Sequence, residues 1–156
     1  GHERIHGHLD AGRVDGRGDA GTERRAERAG EQTEQGRLDQ EEPEDLRIRT
    51  KRFALSVIRL SVRLPKIDEV QVIRRQLLRS ATSVAAHYRE ACRAKSDPDF
   101  ISKLEGGLQE LDETCLWFEL LIESALCNWP EIKALLDEAN ELISIFVTII
   151  KKRKDR

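Results

Sequence analysis

The stretch LEGGLQELDETCLWFELLIESA, residues 104–125, decides the fold of this chain. Its apolar residues recur at alternating spacings of four and three, which is typical of a helix that packs along a heptad seam. The pair Gly106-Gly107 should cost roughly 1 kcal/mol per glycine relative to alanine without breaking the pattern. The predicted seam consists of Leu104, Leu108, Leu111, Cys115, Phe118, Ile122 and Ala125.

Three further stretches have one apolar face each and predict three more helices. Pro65 ends the first, which begins near Leu46, and Asp68 is the predicted N-cap of the second, which runs to about residue 94. Ser96-Asp97-Pro98 begins the third helix, and the fourth follows Asn128-Trp129-Pro130. Their predicted core faces are Phe53, Val57, Leu60 and Leu64; Val70, Ile73, Leu77, Ala81, Val84, Tyr88 and Ala91; and Ile132, Leu135, Leu136, Ala139, Leu142, Ile143, Phe146, Val147 and Ile150.

Four helices of roughly 18 to 28 residues with short connections pack most simply as an up-down-up-down four-helix bundle. No segment alternates with a period of two for long enough to form a strand. The sequence therefore predicts an all-α fold, with the bundle domain at residues 45–156.

Residues 1–44 differ in composition from the rest. The first 45 residues hold eight of the ten glycines and no aromatic residue. Such a segment cannot bury enough apolar surface to offset the entropy of ordering its backbone, which predicts a disordered, low-complexity arm. The whole chain lacks methionine, which is compatible with an arm that does not belong to the native protein.

The net charge of −2 conceals two strongly opposed halves. Residues 47–95 carry a net charge of +10, and residues 97–150 carry −10. The last six residues add a further +4, which suits the negative end of a helix dipole. Opposed halves attract each other between subunits as well as within one, so this charge pattern favours self-association.

More apolar residues are present than a monomeric bundle needs. Those outside the predicted core faces form one cluster on the first helix and one on the third, and clusters of this size more often mark an interface than scattered surface residues do. We therefore expect a homo-oligomer, which is a ring if the rotation between subunits closes. The candidate interface residues are Leu55, Ile58, Val62, Leu116, Trp117, Leu120 and Leu121.

Arginines form a stripe on the first helix and another on the second, with the small residues Thr82 and Ala86 within the latter. Guanidinium groups offer paired donors that match phosphate oxygens, so these stripes are a candidate nucleic-acid surface. The alternative is that the arginines form ion pairs with Glu105, Asp112, Glu119 and Glu123 of the third helix, or that they serve in subunit contacts. The candidate residues are Arg49, Arg52, Arg59, Arg63, Arg75, Arg79, Arg89 and Arg93.

Nothing in the pattern indicates an enzyme, a metal or a cofactor. His87 and Glu90 form a lone H-x-x-E, whereas a di-iron bundle needs two E-x-x-H motifs and two further glutamates. Cys115 lies in the apolar seam, with no histidine at a workable spacing to activate it. The odd number of cysteines predicts reduced thiols in a cytoplasmic protein, and no apolar run is long enough to span a bilayer.

Four collinear blocks resemble one bacterial protein family, the 23S ribosomal RNA intervening-sequence proteins. These blocks are DLRIRTKRFALSVIRL (45–60), RRQLLRSATSVAAHYREACRAKS (74–96), FISKLEGGLQELDETCLWFELLIES (100–124) and LLDEANELISIFVTIIKK (135–152). The resemblance implies a small cytoplasmic four-helix bundle without enzymatic activity. His87, where the family usually has asparagine, and Gly106-Gly107 depart from the family pattern.

The resemblance also suggests partners. Related proteins are accessory proteins of diversity-generating retroelements, which form a pentameric ring whose basic surface engages reverse transcriptase and nucleic acid. For this chain the resemblance therefore implies a homopentamer whose partner is RNA, or a ribonucleoprotein that contains a reverse transcriptase. It points to Arg75, Arg79, Arg89 and Arg93 as the contacts.

Overall fold

Four helices make up almost all of the part of the chain that the structure, a computed structural model, describes. The backbone is described from Glu42 to Arg156 and the side chains from Leu46 onward, so most of the predicted arm lies outside the described residues. Within this part no strand occurs, which confirms the all-α prediction. The helices are α1 (Glu42–Arg63), α2 (Asp68–Cys92), α3 (Asp97–Glu123) and α4 (Pro130–Lys154).

Each helix packs against its neighbours in a four-sided bundle. Helix α2 lies between α1 and α3, and α3 lies between α2 and α4, whereas α1 and α4 touch each other least. The backbones of the diagonal pairs, α1 with α3 and α2 with α4, have no Cα atoms within 8 Å of each other. Arg63 at the end of α1 pairs with Glu131 at the start of α4, as expected for antiparallel neighbours. These contacts are consistent with an up-down-up-down bundle.

The predicted faces form a common core. Leu60, Leu77, Leu111 and Phe146 are fully buried, and the rings of Tyr88 and Phe146 lie 5.9 Å apart between centroids. One residue of the predicted faces of α3 and α4 is misplaced in each helix. Val147 is exposed because it follows Phe146 by about 100° around the helix. Ala125 is also exposed, because α3 ends before it.

The helix ends agree with the sequence in part. The Ser96 hydroxyl accepts a hydrogen bond from the Asp99 backbone N–H at 3.2 Å, which confirms the predicted start of α3. The prediction that Asp68 caps α2 is wrong, because the N-cap is Ile67 and Asp68 lies inside the first turn. There its carboxylate still stabilises the positive end of the helix dipole. Helix α3 ends at Glu123, and Ala125 turns the chain with a left-handed φ of 60°.

Gly106 and Gly107 lie where α3 packs closely against α2 and α4. A Cβ atom on Gly107 would lie 3.0 Å from Cε2 of Phe146, and one on Gly106 would lie 3.0 Å from Cε1 of His87. The loss of helix propensity at these two positions therefore has a packing reason. The two departures from the family pattern noted in the sequence, His87 and the glycine pair, are in direct contact.

None of the four described helices is both long enough and apolar enough to cross a membrane.

Candidate oligomer and nucleic-acid interfaces

The arginine stripe of α1 runs along the side that faces α4. The Arg49 guanidinium donates to the Glu138 carboxylate at 2.6 Å and lies 3.2 Å from Glu141. At the other end of α1, Arg63 donates to Glu131 of α4. These carboxylates raise the pKa of both arginines, and Arg63 lowers the pKa of Glu131 through the same hydrogen bond.

The arginine stripe of α2 has one member that reaches α3. Arg79 lies 3.1 Å from the Glu110 carboxylate and also donates to Glu113, and the hydrogen bond to Glu113 raises its pKa. Beneath this pair, the Thr114 hydroxyl lies 2.8 Å from the Ser80 hydroxyl in a fully buried position. The two predicted stripes therefore border different helices, and the structure does not join them into one surface along α1 and α2.

The glutamates that neutralise these arginines are not those predicted from the sequence. The predicted partners were Glu105, Asp112, Glu119 and Glu123, but Glu105 pairs with Lys154 instead. The other three have no cation within 4 Å among the described residues. The prediction failed because a helical stripe fixes an angle on one helix but not the neighbour towards which that angle points. The observed partners are Glu110, Glu113, Glu131, Glu138 and Glu141.

Five of the eight candidate arginines remain without a carboxylate within 4 Å in the described part of the chain. All five are exposed, so their donors face solvent. Thr82 and Ala86, which lie within the α2 stripe, are exposed as well and leave room for a backbone to approach. The unpaired arginines are Arg52 and Arg59 on α1 and Arg75, Arg89 and Arg93 on α2.

Two apolar surfaces lie on the outside of the bundle. The α1 outer face consists of Leu55, Ile58 and Val62, of which Val62 is 73% exposed. The α3 outer face consists of Leu116 and Leu120, which are 46% and 39% exposed. These exposures agree with the sequence interpretation that the residues lie outside the core.

Two residues of the predicted interface set differ from the rest. Leu121 is fully buried, so the prediction that it lies outside the core is wrong. It follows Phe118 by three positions and therefore shares its face. Trp117 is half-buried and packs against the core, and its indole Nε1 has no hydrogen-bond partner among the described residues.

The two outer faces carry charges of opposite sign. Arg59 lies beside the α1 outer face, since it is one residue from Ile58 and three from Val62, whereas Glu119 and Glu123 adjoin Leu116 and Leu120 on α3 at i+3 spacings. Because α1 and α3 are diagonal in the bundle, their outer faces point away from each other. The outer faces are therefore matched in polarity and charge but cannot meet within one subunit.

The sequence and the fold of this chain resemble those of known proteins. The family model described as "23S rRNA-intervening sequence protein" matches residues 44–148, which cover all of α2 and α3 and most of α1 and α4. The chain belongs to this family. The match confirms the resemblance seen in the four sequence blocks.

A solved relative of this chain has the same fold. It is a crystal structure of a protein of unknown function from the S23 ribosomal protein family of Bacteroides thetaiotaomicron VPI-5482. The two chains are 33% identical with a TM-score of 0.63, and the alignment covers 67% of this chain and 97% of the relative. The comparison with curated proteins gave no match.

The groups with catalytic potential are dispersed within the described part of the chain. The part of the chain that the structure describes holds no cluster of three His, Cys, Asp or Glu residues that could bind a metal. His87 Nδ1 lies 3.5 Å from Glu90, and its ring packs against Gly106 rather than into a cleft. Burial raises the pKa of the Cys115 thiol to about 11, so this thiol is protonated at neutral pH. All three cysteines are free thiols.

Proposed function

We propose that this protein is a non-enzymatic homo-oligomer that binds RNA through the unpaired arginines of its first two helices. The observation that supports the proposal is the set of three exposed α2 arginines, Arg75, Arg89 and Arg93, without a carboxylate partner in the described residues. An unpaired guanidinium keeps its donors available for two parallel hydrogen bonds to a phosphate. Arg79 lies in the middle of the same surface, where its ion pairs with Glu110 and Glu113 fix its guanidinium.

The proposed assembly joins the α1 outer face of one subunit to the α3 outer face of the next. The contact would bury Leu55, Ile58 and Val62 against Leu116 and Leu120, with Arg59 near acidic residues of α3. A contact between two different surfaces is heterologous, and it closes into a ring or continues as a filament according to the rotation at each step. A pentamer, as the family resemblance implies, is the ring that we expect.

The proposed ligand is RNA, either alone or within a ribonucleoprotein that includes a reverse transcriptase. The choice of RNA rests on the family to which the chain belongs, whose description refers to 23S rRNA. Phosphate contacts on α2 would supply affinity independent of base sequence, because guanidinium–phosphate pairs do not read base edges. Arg52 and Arg59 on α1 would form a second, separate basic surface wherever the subunit contact leaves them free.

The first experiment measures the mass of the full chain by light scattering after size exclusion, and then its affinity for a short structured RNA at several salt concentrations. We expect an oligomer whose RNA affinity falls with salt. Three phosphate contacts predict a slope of log K against log [salt] of roughly −2 to −3. The variant Arg75→Glu/Arg89→Glu should lose most of the affinity and flatten the slope by about 1.5, with the mass unchanged.

The matched control is Lys66→Glu/Lys133→Glu, which reverses two exposed charges away from the α2 stripe. It has the same net charge as the arginine variant, so equal losses in both would show attraction to net charge rather than to this surface. Absence of RNA binding at low salt by the wild-type protein would refute the RNA part of the proposal.

A second candidate is a structural or protein-interaction scaffold whose arginines are used in subunit contacts. The position of Arg59 beside the α1 outer face favours it, because a subunit that packs on this face would reach the guanidinium. The variant Ile58→Glu should dissociate the oligomer under both proposals. Dissociation by Arg75→Glu/Arg89→Glu, without any RNA binding by the wild type, would favour the scaffold.

A further inference from the structure

The seam between α1 and α4 contains a cavity. It is a groove of about 840 Å³ at the end of the bundle where α1 begins and α4 ends. This volume lies within the range of roughly 300–1,000 Å³ that small-molecule sites usually have. The groove arises because α1 and α4 pack together least of all neighbouring helices.

The floor of the groove is largely apolar, while Ser144 and Thr148 contribute hydroxyl groups to its α4 wall. The core residues Leu46, Tyr88, Ala91 and Phe100 form part of its surface, and the half-buried Ile145 and Ile149 of α4 complete it. Its lining on α4 extends from Glu141 to Arg153, which corresponds to ~18 Å along the helix axis. An extended hydrocarbon chain of about a dozen carbons is similar in length to this part of α4. The groove therefore has the length and polarity to hold such a chain.

The rim of the groove is cationic. Of its charged residues, Arg49 is neutralised by Glu138 and Glu141, and Arg153 donates to Asp97 at 2.8 Å while stacking 3.9 Å above the Phe100 ring. Lys152 has no carboxylate within 4 Å among the described residues. The last turn of α4 also contains Lys151 and Lys154, so the field at this end of the groove is positive.

We propose that this groove binds an amphipathic monoanion, a long-chain carboxylate whose hydrocarbon chain lies between α1 and α4 and whose head group pairs with Lys152. An apolar floor of this length excludes small polar anions as the preferred ligand, because they would leave the floor exposed to water. A neutral hydrocarbon would in turn leave the positive rim unused. The proposal is independent of RNA binding, since none of the α2 arginines lines the groove.

The test titrates the full chain with octanoate, decanoate and dodecanoate below their micelle concentrations by isothermal calorimetry. Burial of each methylene should raise the affinity roughly fourfold, so each step of two carbons should raise it by about fifteenfold. Dodecanol provides the comparison without a charge, and it should bind more weakly than dodecanoate. Equal binding of the alcohol and the acid would refute the role of Lys152, and the absence of any chain-length dependence would refute the groove.

Two variants, each with a control, test whether the ligand binds in the groove. Ser144→Trp puts a large ring into the groove from an exposed position on α4, so it should abolish binding while the protein stays folded. Ser102→Trp, at an exposed position on α3 outside the groove, is the matched control and should bind normally. Lys152→Glu should weaken dodecanoate by at least about fivefold and leave dodecanol unchanged, whereas Lys133→Glu should change neither.

Cys92 supplies an independent readout because it is exposed and lines the groove, whereas Cys115 and Cys127 are buried. Bound dodecanoate should slow alkylation of Cys92 by iodoacetamide in proportion to occupancy. Alkylation at the same rate with and without saturating ligand would place the ligand elsewhere and overturn the proposal. Protection that depends on protein concentration alone would show that a second copy of the chain covers the groove, which would also overturn it.

Discussion

The α2–α3 and α1–α4 seams of this bundle differ in the size and charge of the side chains that form them. Where α2 meets α3, Ser80 and Thr114 form a buried hydroxyl pair, and two turns away the missing side chain of Gly106 leaves room for His87. Where α1 meets α4, the contacts are sparse, two arginines reach glutamates across the seam, and a cavity remains. Small residues let helices approach closely, whereas long charged side chains connect helices that stay further apart. Substitutions in the α2–α3 seam should therefore lower the free energy of unfolding more than substitutions in the α1–α4 seam.

The largest loss of stability should come from adding a side chain where α3 packs closely against its neighbours. Gly107→Val should destabilise the fold by about 2–3 kcal/mol, because its Cβ would lie 3.0 Å from the fully buried Phe146 ring. Urea unfolding followed by circular dichroism measures this change. The same Cβ would lie 3.3 Å from Cβ of His87 on α2. A stability equal to or above that of the wild type would therefore show that α3 can move away from α2 as well as from α4 without cost, and the contrast between the seams would not hold.

The contact between Gly106 and His87 should show coupling in a double-mutant cycle. Gly106→Ala alone gains about 1 kcal/mol of helix propensity but crowds the His87 ring, so the net effect should be neutral or destabilising. In a His87→Ala background the crowding is absent, and the same change should stabilise by up to about 1 kcal/mol. A coupling energy of about 1–2 kcal/mol between the two positions is expected. Additive effects would mean that the ring moves aside freely.

Removal of the hydroxyl pair should have an intermediate effect. Thr114→Val keeps the shape of the side chain but removes the donor between Ser80 and the Glu110 carbonyl oxygen, which should cost about 1 kcal/mol. The double variant Ser80→Ala/Thr114→Val should cost less than the sum of the single variants, because no buried hydroxyl then lacks its partner. Thermal unfolding of the three variants tests this, and a double variant that loses more than the sum would contradict it.

The smallest effect should come from the ion pairs of α1 and α4. Arg49→Ala should cost about 0.5 kcal/mol at low salt and less at 1 M salt, since partly exposed ion pairs contribute little and are screened. Arg63→Ala, at the other end of the same seam, is the comparison. A loss above about 2 kcal/mol for Arg49→Ala would make this seam as important as the other.

The sequence predicted the fold closely because helical period and apolar spacing depend on one helix at a time. All four helices, their main core residues and the Ser96 cap follow from that pattern. Leu121 was misassigned because a strict heptad seam is narrower than the face that a globular bundle buries. The pairing of Arg79 with Glu110 and Glu113 could not be predicted, since it depends on how α2 and α3 are rotated against each other. The groove likewise results from the separation of α1 and α4, which no spacing of residues encodes.

The two oppositely charged halves of the chain are also synthesised one after the other, the basic half first. Translation delivers residues 47–95, which hold α2 and most of α1 and carry a net charge of +10, before the segment of net charge −10 that contains α3 and most of α4. At about 5–20 residues per second, the basic hairpin would exist for several seconds without its acidic counterpart. During that interval it is a polycation next to a ribosome made largely of RNA. Completion of the chain brings Glu110, Glu113, Glu131, Glu138 and Glu141 to three of its arginines, so the end of synthesis lowers the unpaired positive charge of the segment that was made first.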